Sequence, residues 1–213
     1  MRHEFRLSNK ERKQIDTIRT IYSQQHELLY GNRENVKHWI VSLHKPYVRA
    51  IIRRKEVKPV EFGTKVHKVQ VGGLSFIEHL SYDNFNEGTR LKQSVAFHQK
   101  YVGKCNQLAA DAICATNENR RYCNSMDIAT SFIPKGKQGK LEVQKSAMRS
   151  VLSTIRATVL KGSFGNEKNH YLLQKVKARI EASEIAWIFF GMLTANASII
   201  SKPIISHQLK RTG

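Results

Sequence analysis

Asp111 is the residue of this chain best placed to do chemistry. It closes the apolar run Leu108-Ala109-Ala110, and a helix is expected to follow it. Catalytic groups of α/β sheets stand at the carboxyl ends of strands, where a rigid backbone presents a side chain to a crevice. The bland alternative is an aspartate that starts a turn or caps the next helix, as most such residues do. The other reactive side chains form no constellation. Cys105, Cys114 and Cys123 lack the close cysteine pair of a zinc knuckle, so buried thiols are expected rather than ligands. His67, His79 and His98 make no H-E-x-x-H arrangement, and no P-loop, G-x-G-x-x-G or G-x-S-x-G occurs. Gly162-Ser163-Phe164-Gly165 reads as a loop between two helical stretches, its serine without a partnered base nearby.

Charge is the second signal. Lys and Arg number 36 against 17 Asp and Glu, a formal net charge of +19 over 213 residues. Residues 135–179 hold eleven Lys/Arg and two Glu, a local charge of +9. A folded chain of this sign implies a polyanionic partner, although a solvated helix face is the plainer reading of any one basic run. A hydrophobic content of 40% excludes a disordered polybasic tail. Three cysteines, an odd number, exclude a disulfide scaffold and fit a reducing cytoplasm. Met1–Tyr30 offers no apolar leader, and Ile185–Ile200 (IAWIFFGMLTANASII) is shorter than the roughly 20 residues that span a bilayer. It reads as a buried helix, and no membrane is expected among the partners.

Leu7–Tyr30 reads as a helix opened by the capping box Ser8…Glu11 and stopped by Gly31-Asn32. Ile15, Ile18, Tyr22 and Leu29 give it one apolar stripe, expected to pack on something larger. From Trp39 the runs WIVSL, VRAII, VEFGTKVHKVQV and LSFIEHL read as strands, with Gly72-Gly73 as a hairpin turn. Thr89–Val102 reads as a helix with Leu91, Val95 and Val102 on one face. His98 falls there too, as a packed histidine. A strand at Gln107–Ala110, a helix at Glu118–Asn124 and a strand at Ile128–Ile133 follow. Beyond Pro134, KGKQGK is a basic hinge before helical segments at Leu141–Leu160 and Tyr171–Ala182. The order of elements predicts an α/β or α+β domain with a mixed sheet.

Five blocks resemble those of the insertion-sequence DDE transposases. EFGTK (61–65), YDNFNEG (82–88), LAADAICATNENR (108–120) and KGSFGNEKNHYLLQKVKAR (161–179) are similar to that family's EFGAK, WDAYNEG, VLADKIYRTRENR and EGKFGQGKRRYGLxRIxAK. IVSLHKPYVRAIIRRK (40–55) is similar to its IVSxHQPxVRPIVRGK, and Trp187-Ile188-Phe189-Phe190 falls in its terminal helix. The resemblance keeps order and spacing over about residues 8–200. It implies an RNase H-like fold in which three carboxylates hold two divalent metals, Mg2+ or Mn2+, for phosphodiester cleavage and strand transfer. The domains it implies are a helical linker at 1–38, a partial catalytic domain at 39–200 that lacks its first strand, and a basic tail at 201–213.

By that resemblance Asp111 is the second acid and metal ligand. The first acid lies on a strand that this chain does not show, and the third position holds Lys161. The family's arginine four residues before that acid falls on Ala157, and its tyrosine three residues after the second acid falls on Cys114. Its lysine seven residues after the third acid is kept as Lys168. Glu118 and Glu167 are near by, but their spacing lets neither substitute. An ammonium where a dication belongs adds repulsion to the lost ligand. The expectation is therefore a truncated, inactive transposase that binds double-stranded DNA, alone or as a dimer with itself or a full-length copy. Loss of a central strand would also leave a raw sheet edge and poor solubility. Lys135, Lys137, Lys140, Lys145, Arg149, Lys168, Lys175 and Lys177 are the candidate phosphate contacts. The alternative is a non-enzymatic basic nucleic-acid-binding protein. An RNA-associated protein ranks below both, for want of an aromatic pair or GXXG loop.

Overall fold

The computed structural model describes residues 6–31, 36–52, 60–136 and 142–211. The chain mixes helices with short sheets and divides into two compact units. The first comprises Met1–Lys65, Leu80–Phe85 and Arg179–Glu181; the second comprises Val66–His79, Asn86–Ala178 and Ala182–Gly213.

The first unit is built on helix α1 (Asn9–Tyr30). The capping box forms as its residue types demand. Glu11 accepts from the Ser8 backbone at 2.8 Å, and Ser8 Oγ accepts from the Glu11 N–H at 3.3 Å. The half-buried side includes Thr17, Ile21, Gln24 and Leu28; of the expected stripe Ile15 is half-buried, while Ile18, Tyr22 and Leu29 stay exposed. Gln24 makes the difference, since its amide accepts from the Ile40 N–H at 3.0 Å and donates to the His38 carbonyl at 3.3 Å. Those bonds also explain why Trp39–Leu43 is not the strand its β-branched residues predict. A side-chain amide holds its backbone, and Val48 N–H closes a turn onto Lys45 O at 3.0 Å. Strands β1 (Ala50–Ile52) and β2 (Val60–Phe62) pair antiparallel. The basic stretch between them lies outside the described residues.

The second unit carries the hairpin of β3 (Lys65–Val71) and β4 (Leu74–Ser81). Its two-residue turn works because Gly72 (φ 58°) and Gly73 (φ 85°) both take left-handed conformations that L side chains resist. A 3-10 turn (Glu87–Arg90) leads into α2 (Leu91–Tyr101), which ends before Val102 and leaves that residue exposed. His98 is half-buried rather than packed in the core, and its Nδ1 lies 3.0 Å from the Gly103 carbonyl oxygen. Next come β5 (Gln107–Leu108), α3 (Asn117–Ser125) and β6 (Ala129–Thr130), with β5 and β6 parallel. Leu91, Val95, Ile128 and Phe132 pack with Cys105, Cys114 and Cys123 in one core. All three thiols are free and buried, as expected. Strands among the described residues form three separate two-stranded sheets rather than one mixed sheet.

Helix α4 (Glu142–Ile155) runs through a π-helical turn (Arg156–Leu160) into α5 (Lys161–His170). Gly162–Gly165 is therefore helical, not a loop. Ser163 donates to the Leu160 carbonyl at 2.7 Å, and burial of Glu167 fixes the helix despite two glycines. The segment after it corrects the expectation in the other direction. Residues 171–180 are irregular, because Leu172 adopts φ 57° and the Leu173 N–H turns back to Glu167 O at 3.3 Å. Helix α6 (Glu181–Arg211) buries Ile188, Met192 and Ala195 on one side only, leaving Phe189, Phe190 and Leu193 exposed. The predicted wholly buried helix is thus half right. Its stretch Glu181–Lys202, 22 residues of mean hydropathy 1.3, is long and apolar enough to cross a membrane by length and composition, a test that core helices also pass.

Candidate functional site

Asp111 sits just past β5 as the N-cap of a 3-10 turn, Ala112–Cys114. Its Oδ1 accepts from the Ala112 N–H at 2.7 Å, so the turn-capping alternative describes how this residue is held. Its side chain is still 61% exposed, and Arg156 Nη1 lies 3.5 Å from Oδ2. Among the described residues no three His, Cys, Asp or Glu side chains gather as a metal site would need. One carboxylate with a guanidinium beside it does not fit a pair of divalent ions, each of which takes several oxygen ligands.

Arg156 was not foreseen. Counting back four residues from Lys161 lands on Ala157, as it would in an α-helix. Within the π-turn, however, Lys161 N–H reaches the Arg156 carbonyl, one residue further back. The wider turn therefore puts Arg156, not Ala157, one turn before Lys161. Two adjacent residues that spell arginine then alanine carry no sign of this in sequence.

The candidate phosphate contacts are spread over several elements. Lys145 is exposed on α4 and Arg149 is half-buried one turn later; Arg156, seven residues on from Arg149, completes that side. Lys161 and Lys168, seven residues apart, share an exposed side of α5 about 100° round from the buried Glu167. Lys175 and Lys177 are exposed in the irregular segment, and Lys135 donates to Asn117 Oδ1 at 3.0 Å. Lys137 and Lys140 lie outside the described residues. Glu118 is a surface partner of Lys92 at 2.6 Å.

The sequence blocks hold one another. Lys65 of EFGTK donates to the Phe85 carbonyl at 2.6 Å and to Asn84 Oδ1 at 3.2 Å, both in YDNFNEG. Asn86 caps the following turn by accepting from the Gly88 N–H at 2.8 Å. Asn119 of the third block donates its amide to Gly88 O at 2.7 Å and Cys114 O at 2.8 Å. Gly88 must lack a side chain: a Cβ there would stand 2.6 Å from Ile113 O.

The fourth block joins the hairpin through a buried ion pair that sequence reading missed. Lys68 Nζ lies 2.9 and 3.0 Å from the two carboxylate oxygens of Glu167, 2.7 Å from Ser163 Oγ and 3.8 Å from the Phe164 ring centre. Ser75 donates to Glu167 at 2.8 Å, and Asn196 of α6 pairs with both backbone groups of Ser75 at 2.9 and 2.8 Å. Burial pushes the Lys68 pKa down, with Glu167 opposing. The signal available was weak: a lysine inside a strand and a glutamate inside a glycine-rich helix.

A second polar group resembles a catalytic triad and is not one. His67 Nε2 is 3.0 Å from Ser94 Oγ, but Glu78 Oε2 lies 3.9 Å from that same ring nitrogen, and Arg90 forks onto Glu78. A triad needs the carboxylate on the other nitrogen. Desolvation also lowers the His67 pKa, keeping the ring neutral near pH 7. Comparison of the chain with protein-family models, with curated proteins and with solved structures finds no match.

Proposed function

We propose that this chain is a DNA-binding relative of the insertion-sequence DDE transposases that does not cleave DNA, acting in the cytoplasm. An RNase H-like origin belongs to the same reading. It rests first on the five sequence blocks in order, together with the contacts among them: Lys65 with 82–88, and Gly88 with Asn119. The loss of cleavage rests on a single observation, the ion pair of Asp111 with Arg156 at 3.5 Å. A guanidinium that neutralises the lone acid competes with any cation for it.

Binding is to the phosphate backbone of duplex DNA, through Lys135, Lys145, Arg149, Lys168, Lys175 and Lys177, with Lys137 and Lys140 as further contacts. Such contacts are sequence-independent and weaken steeply with salt. Partnership with a second copy or a full-length transposase is part of the proposal.

The test is a filter-binding titration of the purified chain on duplex DNA at several salt concentrations, with and without Mg2+ or Mn2+, followed by a nicking assay. The expected result is a linear log–log salt dependence, no metal requirement and no cleaved product. Metal-dependent nicking that Asp111→Asn abolishes would overturn the loss of activity. Absence of salt-sensitive DNA binding would overturn the whole reading.

A further inference from the structure

We propose that the outer stripe of α1 is a docking face for an acidic amphipathic helix of a partner protein. Ile15, Ile18, Tyr22 and Leu29 follow one another at three, four and seven residues, the spacing at which two helices pack along a seam. The inward side of α1 is Thr17, Ile21, Gln24 and Leu28, one residue out of step and so about 100° round the helix. That rotation leaves the seam uncovered, with Ile18 50%, Tyr22 69% and Leu29 74% exposed. At its C-terminal end the rings of Tyr22, His26 and Tyr30 form a ladder, with centroids 6.1 and 4.8 Å apart, beside a shallow groove.

Charge identifies the occupant. Arg12, Arg19 and His26 recur every seven residues along one flank of the seam. The other flank is Gln14, Ile21 and Leu28. An antiparallel second copy would set the arginine row against itself, and a parallel one would offer it only those three neutral side chains. The net charge of +19 further disfavours a second copy at this face, where no acidic row offsets it. Nucleic acid would neutralise the arginines but leave Ile18 and Leu29 in water. A partner helix with aliphatic residues in its seam and Glu or Asp beside them satisfies both features. Arg19 pairs with Asp16 at 3.6 Å, a solvated pair that a partner's carboxylate can replace.

The test uses the full chain and a labelled peptide of about 21 residues, three heptads with Leu in the seam and Glu on both flanks, against a twin with Lys in place of Glu. Fluorescence anisotropy should show saturable binding of the acidic peptide and at least about 10-fold weaker binding of the basic one, a 1.4 kcal/mol preference. Leu29→Ser and Ile18→Ser should each weaken the acidic peptide about 10-fold with helix content unchanged by circular dichroism. Arg12→Glu with Arg19→Glu should reverse the preference. No saturable binding, equal affinity for the two peptides, or full affinity in both serine variants would overturn the proposal. So would a dimer of the chain that Leu29→Ser dissociates, which assigns the face to a second copy. Displacement of the peptide by a single-stranded oligonucleotide that fails to bind Tyr22→Ser would assign it to nucleic acid.

Discussion

Replacing Lys68 with Met should come close to unfolding the second unit. The substitution keeps the side-chain length but removes the ammonium, so Glu167 stays buried with the Ser75 hydroxyl at 2.8 Å as its remaining listener in the network. Stripping one partner from a buried pair costs about 3–5 kcal/mol, because a charge is left in low dielectric without compensation. Small domains hold only about 5–15 kcal/mol in all. At a urea slope of about 2 kcal/mol per molar, the unfolding midpoint should fall by roughly 2 M. Glu167→Gln should cost a comparable amount, since the buried Lys68 ammonium then faces neutral groups, among them Ser163 and the face of Phe164 at 2.7 and 3.8 Å, with no opposite charge. The double variant Lys68→Met/Glu167→Gln removes both charges at nearly constant volume and should return to within about 1–2 kcal/mol of the parent. Far-UV circular dichroism in urea reads all three midpoints. A double variant whose loss equals the sum of the singles would refute the reasoning, because the ion pair would then contribute nothing beyond packing.

Cys123 should make stability fall in alkali. Burial pushes its thiol from 9.0 to about 11. Between those values the unfolded chain has released the proton and the folded one has not, so unfolding is favoured by about 1.4 kcal/mol per pH unit, roughly 2.7 in total. From pH 9 to 11 the parent should lose about 1.9 kcal/mol of this relative to Cys123→Ala, a urea midpoint lower by about 1 M at a slope of about 2 kcal/mol per molar. Gly88→Ala should cost about 1–3 kcal/mol in thermal or urea unfolding, because the added methyl meets a backbone carbonyl that cannot swing away. Lys145→Ala and Lys168→Ala, both exposed, should leave the unfolding midpoint unchanged. Each should reduce the log–log salt slope of duplex binding by about 0.9; an unchanged slope in both removes these residues from the DNA contact.

How legible each feature was depended on the range of the interaction that sets it. Local chemistry read well. Ser8 and Glu11 cap α1, Gly72-Gly73 turns the hairpin, and the three cysteines lie in the core, because short-range rules decide all of these. Segments decided by a distant partner read badly. Trp39–Leu43 carries strand residues but is held by Gln24, and Gly162–Gly165 carries loop residues but is held helical by the burial of Glu167. Around Asp111, position relative to β5 was readable from the apolar run before it. The arginine facing it was not, since a π-turn changes which residue stands one turn away. The exposed seam of α1 shows the same limit from the other side: periodicity gave the stripe, and one amide bonded to the 38–40 segment decided which side turned inward.

The π-turn at Arg156–Leu160 lets one continuous rod keep two different phases. Upstream of it, Arg156 is aimed at Asp111; downstream, Glu167 is aimed at Lys68. An ordinary α-helical turn would hold one residue fewer across the same rise, so a chain without Ala157 could close this turn as plain α-helix and leave the phase of α5 unchanged. The widened turn works as a slipped gear tooth: it absorbs a single-residue change in chain length while both engagements stay in mesh.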